Sequence, residues 1–280
     1  MKACMKPIQV LALLSGLSAL TCAVQMQGQT LNDLNSTINI NPITQSGMNS
    51  WTINGQQEMT QQWFWYSVGS TAPASIDTLA LTGDTLSGGS ASQLQYASLA
   101  NNFTVSINYA LSGTAPGTYV SDVGEQISIQ NNNASPLTME FYKYTDFDLQ
   151  AGQGGLNTVE MSQNLFTGLW NDAYQFSAHM TAASEIGVVP GSTLAEAALL
   201  PQTLSELNNG STPVVLNDNA VAGPGAVTSA FQWDVTIPGL GTAVMSTDDI
   251  VQSVPEPSVF GLITAGGLAL SAWQRRRGRV

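Results

Sequence analysis

Between about Leu31 and Asp249 the spacing of apolar and polar positions has a dominant period of two. In NFTVSINYAL, Phe103, Val105, Ile107, Tyr109 and Leu111 alternate with polar or small residues, which is the pattern of a half-buried strand. In VTSAFQWDVTI, Val227, Phe231, Trp233, Val235 and Ile237 share one face, and Thr228, Gln232, Asp234 and Thr236 share the other. Weaker versions run through PLTMEFYKYTDFDL and GEQISIQ. Asn54-Gly55 reads as a two-residue hairpin turn, because both residues tolerate positive φ. Gly83-Asp84, Gly88-Gly89, Pro116-Gly117, Pro190-Gly191, Pro224-Gly225 and Pro238-Gly239 mark further turns. Strands at this spacing without intervening helices predict an all-β chain folded as an antiparallel, jelly-roll-like β-sandwich.

One stretch breaks the period. STLAEAALLPQTLSELNNG has two capping-box spacings, Thr193 with Glu196 and Thr203 with Glu206, interrupted by Pro201 and ended by Asn208, Asn209 and Gly210. It predicts one or two short helices covering an end or edge of the sandwich.

The two ends depart from the pattern altogether. Residues 1–23 have a short cationic start, an apolar run from Ile8 to about Leu20, and small residues at Thr21 and Ala23, so they read as the helix of a secretory signal peptide cleaved after Ala23. Cys22 raises a lipoprotein alternative, for which Thr21 is a poor preceding residue. At the other end, 258–273 is an uncharged stretch followed by QRRRGRV. At ~1.5 Å per residue it reaches about 24 Å as a helix. That is enough for a transmembrane helix with snorkelling flanks, and Arg275, Arg276, Arg277 and Arg279 supply a stop-transfer cluster. The exported domain is then 24–253.

Charge sharpens this division. The chain has 280 residues and a formal net charge of −12. Lys143 is the one basic residue between Lys6 and Arg275, whereas all 19 acidic residues lie between Asp33 and Glu256. Such a surface repels phosphate and excludes a nucleic-acid partner. Cys4 and Cys22 both lie near the N-terminus, so the exported domain has no thiol chemistry.

The C-terminal segment resembles a known sorting signal. Val254, Pro255, Glu256, Pro257 and Ser258, then a short span with Gly and Ala, then the arginine cluster, are similar to the PEP-CTERM signal of exported proteins in Gram-negative bacteria. The resemblance implies handling by the secretion translocon, transient anchoring in the inner membrane, recognition by an exosortase, and delivery to the cell surface or extracellular matrix. The flanking prolines of Glu256 disfavour helix and keep the motif extended for a processing enzyme. WTINGQQEMTQQWFWYSVG, FYKYTDFDL and FQWDVTIPGLG also resemble segments of PEP-CTERM proteins of unassigned function, with Ser67 where an arginine is expected.

Candidate chemistry in the middle is sparse. His179 is the sole histidine, which excludes multi-histidine metal sites, and no Gly-x-Ser-x-Gly elbow or phosphate loop is present. Asp146 and Asp148, or Asp248 and Asp249, are weak candidates for a hard cation, which wants six to eight oxygens. Trp63 and Trp65 share one side of their strand and are candidate stacking platforms for a glycan, or else core. No cofactor is implied. The expectation is a non-enzymatic surface or matrix protein of structural or interaction type, possible partner of an exopolysaccharide. The alternative is a carbohydrate-binding module, and after it a glycoside hydrolase with two converging carboxylates.

Overall fold

The computed structural model describes residues 28–149, 156–177, 181–210 and 213–253. The segment read as a signal peptide, the Val254–Ser258 motif, the apolar span, the arginine cluster and His179 lie outside the described residues. Among the described residues no helix is long and apolar enough to cross a membrane.

In chain order the strands are β1 (Gln29–Asp33), β2 (Ser36–Asn41), β3 (Gly47–Ile53), β4 (Gln56–Val68), β5 (Ala74–Ser75), β6 (Ala80–Ser87), β7 (Ala91–Ser98), β8 (Phe103–Gly113) and β9 (Val120–Asn131). They continue as β10 (Leu137–Phe147), β11 (Asn157–Gln163), β12 (Trp170–Phe176), β13 (Thr181–Val189) and β14 (Leu194–Leu199). The short helix α1 (Gln202–Leu207) follows, then β15 (Val221–Gly225), β16 (Val227–Ile237) and β17 (Thr242–Ser253).

Two antiparallel sheets form a sandwich. The first has eight strands in the order β1-β2-β3-β4-β10-β16-β14, with β5 paired to β4. The second has nine, in the order β15-β11-β12-β13-β17-β9-β8-β7-β6. With seventeen strands among the described residues, the sandwich is larger than the eight-strand double Greek key of a jelly roll. Its sheets grow instead by consecutive hairpins, β1 to β4 and β6 to β9.

The Asn54-Gly55 turn forms as the sequence predicts, with φ of 50° and 81°, joining β3 to β4. Phe103, Val105, Ile107, Tyr109 and Leu111 all point inward from β8. Gly83-Asp84 is not a turn: it lies within β6, beside a register shift between Leu81 and Gly83.

The predicted first helix is also a strand. Leu194–Leu199 pairs along β16 as β14, because the unsatisfied edge of β16 offers six residues of backbone partners. Local helix propensity yields to that sheet edge. Thr203, expected as a helix cap, donates its hydroxyl instead to buried Glu196 at 2.6 Å. Pro201 takes the N-cap position of α1 without a side-chain bond.

Aromatic rings from the first sheet fill the intersheet space. Phe64 stacks on Phe141 at 5.7 Å, and Phe141 packs on Trp233 at 6.5 Å. On the opposite face of that sheet, α1 and the segment after it cover Trp65 and Tyr142. The Trp65 indole N–H donates to Asn208, and the Tyr142 hydroxyl donates to the carbonyl of Val214. Both faces of β16 are therefore buried through Trp233, unlike the half-exposed strand its alternation predicts.

Candidate functional site: a polar depression over a buried charge cluster

Register in the second sheet determines what its outer face presents. Because strand residues alternate between faces, one outward row crosses five strands as Thr85, Gln93, Asn108, Gln126 and Ser246. The next row is Ser87, Ala91, Ala110, Gly124 and Asp248. A third row holds Ser112, Asp122 and Ile250. Long amides thus flank a floor whose middle is Ala91, Ala110 and Gly124, and the result is a depression of about 630 Å³.

The amide wall is ordered. Gln95 donates to Gln93 at 3.2 Å, and Gln93 donates to Asn108 at 2.9 Å. At the far end, the Asp248 carboxylate sits between two glycines. Cβ atoms built on Gly124 and Gly187 would lie 3.4 and 3.5 Å from its oxygens. Asp122 follows in the third row, diagonal to Asp248 on the neighbouring strand. Its Oδ1 is buried without a hydrogen-bond partner. Burial, and then the charge of Asp248, raise the Asp122 pKa above its ordinary value.

Beneath the floor lies a second feature. Glu125, between Gly124 and Gln126, points inward from β9, as do Asp249 from β17 and Glu185 from β13. Lys143 reaches them from β10 of the opposite sheet. Its Nζ lies 2.8 Å from Glu125, 3.1 Å from Glu185 and 2.9 Å from both oxygens of Asp249, and it donates to Thr247 at 2.9 Å. All four charged side chains are essentially without solvent contact. Glu185 also accepts from the hydroxyls of Thr145 and Ser229. Burial works against the ammonium, but Asp249, Glu125 and Glu185 outweigh it and raise the Lys143 pKa. Burial raises both Asp249 and Glu125 above their ordinary values, in both cases against the pull of Lys143.

Lys143 is the one lysine or arginine among the described residues, and it is buried. The described exterior therefore carries negative charge only.

The structure redistributes the residues that sequence singled out. Trp63 and Trp65 are both fully buried and offer no face to a glycan. Trp63 packs edge-on against Tyr96 at 6.4 Å and donates to Asp77, while Trp65 lies edge-on to Tyr144 at 6.0 Å. Asp146 accepts a hydroxyl bond from Thr60 at 2.7 Å, and its pKa is raised by burial, with Asp148 adding a smaller push. Asp248 and Asp249 cannot share an ion, since one faces the depression and the other the core. Among the described residues no set of three or more acids, histidines or cysteines is arranged for a metal ion. The three acids that converge at Lys143 surround an ammonium.

Sequence reasoning missed the amide row, Asp122 and the buried cluster. One signal was available: Lys143 occupies the same strand parity as Phe141, Thr145 and Phe147, the parity of the core.

No protein-family model matches the sequence, and no curated protein matches it. The fold does match solved structures. A bacterial glucoamylase complexed with acarbose superposes with a TM-score of 0.53 at 8% identity, over 86% of this chain and 36% of that one. The chain thus spans about a third of the glucoamylase. A protein described as an aldose 1-epimerase, from Escherichia coli K12, gives 0.52 at 7% identity over 81% of this chain and 99% of the other. A galactose mutarotase related enzyme from Lactobacillus acidophilus gives 0.52 at 5% identity, over 82% and 99%. These likenesses correct the expectation of a non-enzymatic protein: the chain shares its β-sandwich fold with the proteins described as an aldose 1-epimerase and a mutarotase related enzyme, over almost their whole length, and with about a third of the glucoamylase.

Proposed function

We propose that this chain is a carbohydrate-active protein that seats a neutral saccharide in the depression of the second sheet. The observation that carries this reading is the depression itself, a floor of Ala91, Ala110 and Gly124 walled by amides on one side and ending at Asp248. Amides donate and accept at once, which matches sugar hydroxyls. A cation-free rim disfavours phosphorylated sugars, so the substrate class is uncharged. No exposed aromatic ring supplies a stacking platform in the floor, and recognition rests on hydrogen bonds.

Asp248, which lines the depression, and Asp122, one row beyond its end, are the groups assigned to proton exchange with the bound sugar. Burial and its neighbour's charge favour the protonated form of Asp122, the general acid of the pair, and Asp248 is the proton acceptor. The likeness to an epimerase, a mutarotase-related enzyme and a glucoamylase supports acid–base chemistry at an anomeric carbon. The test is proton NMR of neutral aldoses and oligosaccharides with the protein. It follows both binding and the interconversion or hydrolysis of anomers, for wild type, Asp248→Asn and Asp122→Asn. Backbone shift changes confined to other faces, with no turnover, would refute the assignment.

The sequence motif supports a second reading about delivery. Val254–Ser258 and the following arginine cluster mark the chain for export, exosortase processing and release at the cell surface, where polysaccharide is the available partner. Replacing Pro255, Glu256 and Pro257 by alanine should leave the uncleaved chain in the inner membrane, as read by fractionation and intact mass. Equal release of wild type and variant would exclude it.

A further inference from the structure

We propose that Lys143 and Asp249 condense to an intramolecular amide, so that the two sheets are tied by a covalent bond across the core.

The geometry carries this. An amine and a carboxyl carbon must be held in contact, shielded from water, with a third group to move protons. The Lys143 Nζ lies 2.9 Å from each oxygen of Asp249, both side chains are wholly buried, and Glu125 lies 2.8 Å from the same nitrogen. Lys143 stands directly between Phe64 and Phe231 in the strand register, so its stem runs through apolar surroundings. Holding two reactants this way replaces a bimolecular encounter by an internal one. Exclusion of water removes the species that would reverse the bond.

Three carboxylates around one ammonium would leave a net negative cluster in the core, which is costly. Burial raises the Asp249 pKa against the pull of Lys143, which favours the neutral carboxylic acid that condensation uses. Glu125 has one buried oxygen, Oε1, without a hydrogen-bond partner, and the other accepts from Thr247 at 3.0 Å. It is the proton carrier. Glu185 is fixed by Thr145 and Ser229 and positions the ammonium. The remaining polar group facing the cluster, the Tyr109 hydroxyl, is buried and also unpartnered. Burial, Glu125 and Asp249 keep it neutral.

The step balances without an oxidant or cofactor. Lys143 passes one proton to Glu125 and becomes a free amine. Its nitrogen attacks Asp249 Cγ, turned about its Cβ–Cγ bond, and the N–C bond forms. Glu125 returns the proton to the departing hydroxyl, the C–O bond breaks and water leaves. The nitrogen then gives its excess proton to Glu125, which ends protonated beside a neutral amide. The first transfer is uphill because the acids hold the ammonium, so the bond forms after folding.

Two measurements on the full chain test this. Lys143 is the one lysine after Lys6, so acylation in guanidinium reports directly on its amine. The expected result is that Lys143 does not label, and that pepsin digestion yields the Lys143 and Asp249 peptides as one branched species, lighter than their sum by one water. Full labelling with separate peptides at their sequence masses would overturn the proposal. Asp249→Ala and Glu125→Gln should each restore a labelled Lys143. Cross-linking of Glu125→Gln at the wild-type rate would overturn the carrier assignment. The wild-type measurement decides the bond whether or not either variant folds.

Discussion

Asp248 and Asp249 are consecutive residues of β17, yet one carboxylate faces the open depression and the other touches Lys143 in the core. Strand alternation separates two identical side chains into two environments. Substitution should therefore separate two functions. Asp248→Asn is expected to change stability by less than about 0.5 kcal/mol while impairing work on saccharides. Asp249→Ala should cost about 3 kcal/mol or more, because it takes away the partner of the buried Lys143 side chain and leaves an ammonium there without it. Urea unfolding alongside saccharide NMR reads both.

The floor of the depression should be sensitive to volume alone. Ala110 points outward beside Gly124, and Ala110→Leu places a branched side chain where a ligand ring would lie. The expected outcome is a more than about tenfold loss of saccharide affinity by titration, with unfolding shifted by about 0.5 kcal/mol or less. Retained affinity would place the ligand elsewhere.

Two glycines of similar backbone conformation should respond unequally. Gly47 and Gly69 have φ of +52° and +66°. A Cβ on Gly47 would lie 2.0 Å from the Trp63 ring, whereas nothing lies within 4 Å of one on Gly69. Gly69→Ala should cost about 1 kcal/mol, from the backbone alone. Gly47→Ala should cost about 2–4 kcal/mol, because the indole must also move. Paired thermal melts measure the difference, which isolates the steric contribution.

Asp122 and Asp146 should each contribute stability that rises as pH falls toward the ordinary carboxylate value of 3.8. Asp122 and Asp146 both have folded pKa values raised above their ordinary 3.8, chiefly by burial. Between the ordinary and raised values the folded chain holds more protons than the unfolded chain, so stability falls as pH rises through that window. Asp122→Asn and Asp146→Asn should each flatten the dependence in a pH series of urea melts. A steeper dependence in either variant would contradict the assigned cause.

The strands themselves were largely legible. The alternation in β8 and the Asn54-Gly55 turn are local signals, and both elements form where the chain dictates. β14 was not legible as a strand, because LAEAAL is helix-favouring and becomes extended only beside β16, whose paired residues lie 28 to 38 positions on. Trp65 is buried for a similar reason: its cover, α1 and Asn208, comes from 143 residues away. The candidate site is a property of register across five strands, and no one segment contains it. The Lys143 cluster draws on four strands in both sheets. Its sequence trace was a lone lysine at a core position.

That lone lysine has a consequence outside the fold. Between Lys6 and Arg275 the chain gives trypsin-class proteases one cleavage point, and it is sealed between two sheets. Loops can open without exposing it. In a medium containing such enzymes the domain persists at least until both sheets separate, and beyond that point wherever Lys143 is held as an amide, which these enzymes do not accept.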